Sequence, residues 1–138
     1  MEPIRLADAY ARYHAKIPRG QPVLSAIATD GALVLSCDSG KFDRPQKNVL
    51  RYQDALSADA TASRHKTALG THLKQAQDGD LPIRLVLVTP PKGPLPRIIG
   101  VRPDLTGKLV EFDGDRFSVD FSRPLAPPVE KARLRRKR

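Results

Sequence analysis

The sequence predicts an α+β domain: a mixed or mainly antiparallel sheet of about five or six strands, two helices packed on it, and a C-terminal hairpin. Three observations carry that expectation. Leu81–Val88 holds six aliphatic residues in eight, interrupted by Pro82 and Arg84 alone. Such a short apolar run, bounded by prolines, fits a strand buried on both faces better than a helix. Two other stretches repeat apolar residues at helical spacing. Asp-Gly twice joins apolar runs of strand length, the pattern of a tight hairpin.

Taken in order, Leu6, Tyr10, Tyr13 and Ile17 line one face of a first helix, with Pro3 suited to its first turn and Pro18-Arg19-Gly20 as its stop. His14 beside that stripe reads as a boundary residue satisfied by water or backbone. Pro22–Thr29 and Ala32–Cys37 flank Asp30-Gly31 as a hairpin. Asp38–Arg51 reads as a basic loop carrying Lys41, Arg44, Lys47 and Arg51 around Phe42, with a short strand or turn at Val49–Tyr52. A second helix starts between Ser57 and Thr61, either of which can cap it, and runs to Gln77 with Ala62, Leu69, Leu73 and Ala76 as its stripe. Asp78-Gly79 ends it, Gly79 taking the left-handed conformation. The helix feeds directly into Leu81–Val88, so a parallel crossover is open to the chain.

After that strand, Thr89–Pro96 carries four prolines and reads as a stiff, extended loop. Arg97–Val101 is a short strand. Lys108–Phe112 and Arg116–Phe121 flank Asp113-Gly114-Asp115, and Phe117, Val119 and Phe121 alternate with Ser118 and Asp120, as in a strand with one wet face. The hairpin is expected beside Arg97–Val101, and the sheet is compatible with an open, barrel-like form. The domain is expected to span residues 1–122, with 123–138 a Pro-rich linker and basic tail.

Charge is the loudest functional signal. The chain of 138 residues carries +9. Residues 131–138 hold six of the 24 cations and no acid, so the remaining 18 face 15 acids and residues 1–130 carry only +3. Residues 83–108 are net +4 and residues 109–122 net −3. No apolar run approaches the ~20 residues of a membrane span, and the N-terminal residues lack the basic-then-apolar layout of a secretory signal. The expected compartment is the cytoplasm. Cys37, a single cysteine, makes no internal disulfide or cysteine zinc site and reads as a small buried hydrophobe.

Catalytic signatures are absent. Gly40-Lys41 is followed by Phe42 and lacks the upstream glycine of a phosphate loop, and no spaced-glycine dinucleotide fingerprint follows a strand. No acidic-x-lysine step of the kind found in metal-dependent nucleases occurs. His65 and His72 stand seven residues apart, too far to share an ion, and read as core-edge residues with His14. The serines, Ser25 among them, lack a glycine-flanked elbow. Glu111, Asp113, Asp115 and Asp120 lack calcium-loop spacing and read as ordinary turn chemistry. No catalytic residue, metal site or cofactor is assigned.

Nucleic-acid binding is the leading expectation, with DNA or RNA as partner. Lys131, Arg133, Arg135, Arg136, Lys137 and Arg138 would neutralise phosphates whatever the base sequence. Lys41, Phe42, Arg44 and Lys47 have the layout by which single-stranded bases are stacked and their phosphates held, although packing into the core is the simpler expectation for Phe42. Lys92 and Arg97 add a third set of contacts. The alternatives are a metal-independent nuclease, using His65 or His72 as base with Lys41 or Arg44 on the phosphate, and a protein-interaction module, an inhibitor or adaptor whose tail grips an acidic protein partner.

The runs Ser25–Gly31, Leu50–Ser57, Leu81–Val88 and Val110–Phe117 look similar to segments of small uncharacterised bacterial cytoplasmic proteins of comparable length. That resemblance covers most of the body and none of the tail. It implies a bacterial origin compatible with carriage on mobile elements, and it brings no activity or site residue with it.

Overall fold

The strand centred on Leu85 is buried on both faces, and the remaining elements are placed by that fact. A computed structural model describes residues 4–17, 23–58 and 63–123. In chain order they form α1 (Leu6–Ala11), β1 (Ser25–Ile27), β2 (Leu33–Asp38), β3 (Phe42–Gln46), β4 (Val49–Ala55), a 3-10 turn (Leu56–Ala58), α2 (Ser63–Gly79), β5 (Ile83–Thr89), β6 (Ile98–Val101), β7 (Thr106–Phe112) and β8 (Arg116–Ser122). Among the described residues there are two α-helices and one mixed sheet of eight strands, in the order β1-β2-β5-β7-β8-β4-β3 with β6 also paired to β5. The fold class is as the sequence predicts. The strand number is larger than five or six, and the sheet is not closed.

β5 lies parallel to β2, from Leu33 opposite Ile83 to Asp38 opposite Val88. Every other pairing is antiparallel. A parallel neighbour requires a crossover, and α2 lies within it. Leu69, Leu73 and Ala76 of α2 pack with Leu33, Leu35, Ile83 and Leu85 on one face. On the other face Leu6, Ala9 and Tyr10 of α1, followed by Tyr13, cover Val34, Val86 and Ile99. Alternate residues of β5 thus enter two cores, which explains an aliphatic run without polar alternation.

Both helices end by the same device. His14 (φ 66°) and Asp80 (φ 51°) take the left-handed conformation, and the next residue returns a hydrogen bond across the last turn: Ala15 N–H to the Tyr10 carbonyl at 3.0 Å, Leu81 N–H to that of Ala76 at 3.2 Å. In each case the following apolar residue is carried onto a core, the contact that accompanies this cap. α1 is therefore shorter than the Leu6–Ile17 stripe predicts, and Asp80, not Gly79, makes the second turn. The start of α2 differs too. Ser57 does not cap it; its N–H and hydroxyl donate to Asp115 at 2.8 and 3.0 Å.

The basic stretch expected as a loop contains β3, an exposed edge strand paired with β4. Its polar composition hides it, because an edge strand outside the core needs no apolar alternation. β6 and β7 are not paired with one another. They divide one edge of β5, β6 taking Val86–Thr89 and β7 meeting Ile83 at Gly107. The β7–β8 hairpin turns at Gly114 (φ 103°) as expected.

Gly107 is where β7 crosses closest to the core. A Cβ there would lie 2.6 Å from Phe121 Cε1 and 2.8 Å from Val119 Cγ1, and both side chains are buried. Gly107→Ala should lower the unfolding free energy by about 1–3 kcal/mol, the usual cost of overpacking. Gly100→Ala, where nothing lies within 4 Å, is the control. Urea midpoints that are the same for both variants would refute this account of the crossing.

Candidate functional site

The parallel strands β2 and β5 run out together at Asp38 and Val88, and open sheets commonly bind ligands beyond the carboxyl ends of such strands. A cavity of about 210 Å³ opens there. Leu24, Leu56 and Val88 contribute apolar wall, while Asp38, Lys41, Asp54 and Arg97 supply charge. Its lining is drawn from segments spread along the chain, from Leu6 to Phe117.

Sheet curl brings β4 to the end of β2, although the two strands are not neighbours in the sheet. The Tyr52 hydroxyl accepts the Asp38 N–H at 3.2 Å and donates to Asp54 Oδ2 at 2.5 Å. Asp54 Oδ1 accepts from Lys41 Nζ and from the Ala55 N–H, each at 2.8 Å. Burial, then the nearby Cys37 and the bond to Asp54, hold the Tyr52 phenol far above its ordinary range. Burial, reinforced by Asp54, likewise raises the Cys37 thiol well above its usual value. Tyr52 is therefore a neutral donor and Cys37 a neutral thiol, not an activated nucleophile.

The nominated cations divide. Lys41 and Arg97, from segments far apart in sequence, line this one cavity, facing Asp38 and Asp54, so the cleft is mixed in charge. Lys92 is exposed five residues before Arg97. Arg44 stands mid-way along β3, roughly 10 Å along the strand from Lys41, and reaches toward the hairpin tip, where its Nη1 donates to the Lys47 carbonyl at 2.9 Å. Among the described residues no carboxylate pairs with the side chains of Arg44, Lys47, Lys92 or Arg97, whereas Arg51, Arg102 and Arg123 are each held by an aspartate. Phe42 is half-buried, its ring 5.1 Å from that of Tyr52 and 6.3 Å from Phe121. It packs on the core edge. Lys131, Arg133, Arg135, Arg136, Lys137 and Arg138 lie outside the described residues.

Two arrangements escaped the sequence. Ser25 Oγ and His72 Nδ1 lie 2.7 Å apart across 47 residues, a contact made when β1 meets α2. Ser25 is buried, and burial lowers the pKa of His72; the pair satisfies two polar groups under the helix and does not line the cleft. The second is the Tyr52–Asp54–Lys41 chain itself, whose members carry no recognisable spacing. The acidic hairpin is spent on structure. Asp113 Oδ1 accepts the Asp115 and Arg116 N–H groups, Asp115 holds Ser57, and Asp120 takes Arg51 in two bonds. No cluster of His, Cys, Asp or Glu among the described residues is placed to hold a metal ion.

Tyr52→Phe leaves Asp38 N–H and Asp54 Oδ2 without their shared partner and should cost about 1–3 kcal/mol, read as a lowered urea midpoint; an unchanged midpoint would refute the latch. His72, lowered below its ordinary 6.5, contributes stability that is present in full above the unfolded value and lost as pH falls through the lower folded one. Between pH 7.5 and 5 the wild type should therefore lose more stability than His72→Gln, and parallel pH profiles would remove His72 from the account. The chain matches no protein-family model, no curated protein and no solved structure.

Proposed function

We propose that this protein binds nucleic acid without cleaving it, taking phosphates at the rim of the cleft and along the exposed cations that flank it. The observation that carries the reading is a set of exposed cations, Arg97 at the cleft with Lys92, Arg44 and Lys47, that no carboxylate of the described residues pairs with, whereas Lys41 in the cleft is held by Asp54. A cation held by an aspartate has little left to offer a phosphate; Arg97, Lys92, Arg44 and Lys47 keep their full charge for a polyanion. The six basic residues of 131–138 add a further, sequence-blind attraction. Arg97 and Lys92 on one arm and Arg44 and Lys47 on another would hold a strand's backbone at two separate points.

A metal-independent phosphodiester enzyme would need a base beside the phosphate. His65 and His72 do not line the cleft with Lys41 and Arg97, so no observation favours that alternative. Binding of an acidic protein instead of nucleic acid is an outcome of the same experiment.

Fluorescence anisotropy with labelled single-stranded and duplex DNA, and with RNA, tests the proposal. Affinity should fall steeply between 50 and 200 mM salt, by about 10³-fold or more if six or more phosphates are engaged. Arg97→Glu should weaken binding to every sequence and reduce the salt slope by about one, and deletion of residues 129–138 should remove most of the remaining affinity. No binding at low salt, or affinity unmoved by both changes, would overturn the reading.

A further inference from the structure

Residues 90–97 leave the sheet between β5 and β6 and, with Ile98 at their base, are all exposed. The excursion is stiff. Pro90, Pro91, Pro94 and Pro96 fix their own φ angles, and Lys92 and Leu95 exchange backbone hydrogen bonds at 3.1 and 3.0 Å, closing a turn with Gly93 at φ 57°. Its base is anchored by the pairing of Thr89 with Ile98. On this arm stand the two most exposed large aliphatic side chains among the described residues, Leu95 at 61 % and Ile98 at 57 %. Neither contributes to a core. Each has close by in the chain a cation that no carboxylate of the described residues pairs with, Lys92 before Leu95 and Arg97 before Ile98.

A rigid arm that spends apolar area on solvent and sets beside it two cations that no described carboxylate pairs with suits a partner offering phosphates outside and apolar stacked surface within. Resting on the nucleic-acid reading above, we infer that this arm enters a DNA duplex and that Leu95 wedges between two base pairs, kinking the helix. Proteins that bend DNA from the minor groove insert Leu, Ile or Pro at a base step in this way, and the unstacking cost is smallest at flexible pyrimidine–purine steps. The prolines and the bridged turn hold the wedge in place before contact, so little ordering is left to oppose insertion. Lys92 and Arg97 grip phosphates on either side, while the cleft behind Arg97 stays outside the duplex. An anionic membrane would also attract a basic arm with an apolar tip. The second group of cations without a carboxylate partner among the described residues, Arg44 and Lys47 of the β3–β4 hairpin, favours a long polyanion that reaches both arms.

The test uses the full chain and a short duplex carrying 2-aminopurine at a central TA step, with fluorophores on the two ends. Wild-type binding should raise 2-aminopurine fluorescence and shorten the end-to-end distance. Leu95→Ala should still bind by anisotropy, with unchanged circular dichroism, and lose both signals; Arg97→Glu should weaken binding itself. Wild-type binding with neither unstacking nor bending overturns the wedge while leaving nucleic-acid binding intact. Signals that persist in Leu95→Ala overturn it equally. Absence of any duplex binding removes the reading beneath it. Leu95-dependent association with vesicles containing phosphatidylserine, beside duplex binding indifferent to Leu95, would reassign the arm to a lipid surface.

Discussion

Covering β5 on both faces is the constraint from which the rest of the architecture follows. A strand carrying Ile83, Leu85 and Leu87 toward one side and Val86 and Val88 toward the other exposes a large apolar area unless both sides are capped. α2 covers one and α1 the other. Because α2 precedes β5 and follows the strands that lead away from β2, the chain can pair β5 beside β2 in parallel only by carrying a helix across the sheet. The same crossover leaves the carboxyl ends of β2 and β5 side by side and uncovered. The cleft is a by-product of how the core is closed.

Polar satisfaction shapes that opening as much as apolar burial does. A hydroxyl on β4 reaches the backbone of β2, and an aspartate two residues along β4 collects that hydroxyl, a lysine ammonium and a backbone N–H. The Tyr52 hydroxyl and the Asp54 carboxylate thus both have partners, and the curl of the sheet is held by directional bonds at its open end. Tyr13 plays a similar part on the opposite face: its hydroxyl donates to the Leu85 carbonyl at 2.8 Å and accepts the Arg102 N–H at 3.1 Å, with the Arg84 guanidinium 5.0 Å from its ring centre. Tyr13 ties the chain after β6 to β5, and Tyr52 ties β4 to the end of β2.

Charge is arranged by a different logic from that of the core. Aspartates of β8, of the β6–β7 connection and of β4 neutralise the arginines and lysine nearest to them. Those of the two projecting arms, 90–97 and the β3–β4 hairpin tip, have no carboxylate partner among the described residues. No helix among the described residues is long and apolar enough to cross a membrane. Exposed aliphatics set among bare cations on a proline-stiffened turn give the molecule a directional surface that its nearly balanced body lacks.

Strong periodicity and turn chemistry by themselves determined a good deal here. The buried central strand, both helices, the two Asp-Gly turns and the inert cysteine follow from local pattern, because burial writes itself into which positions are apolar and a tight turn demands positive φ. What tertiary structure alone decided was of three kinds. β3 was hidden because an exposed edge strand places no demand on its side chains. Helix ends moved because His14 and Asp80 accept left-handed strain to carry Ala15 and Leu81 onto the cores. The cleft was invisible because Lys41, Tyr52, Asp54 and Arg97 become neighbours only when the sheet curls. Contacts between distant segments depend on how the chain is wound, and winding leaves no periodic trace along it.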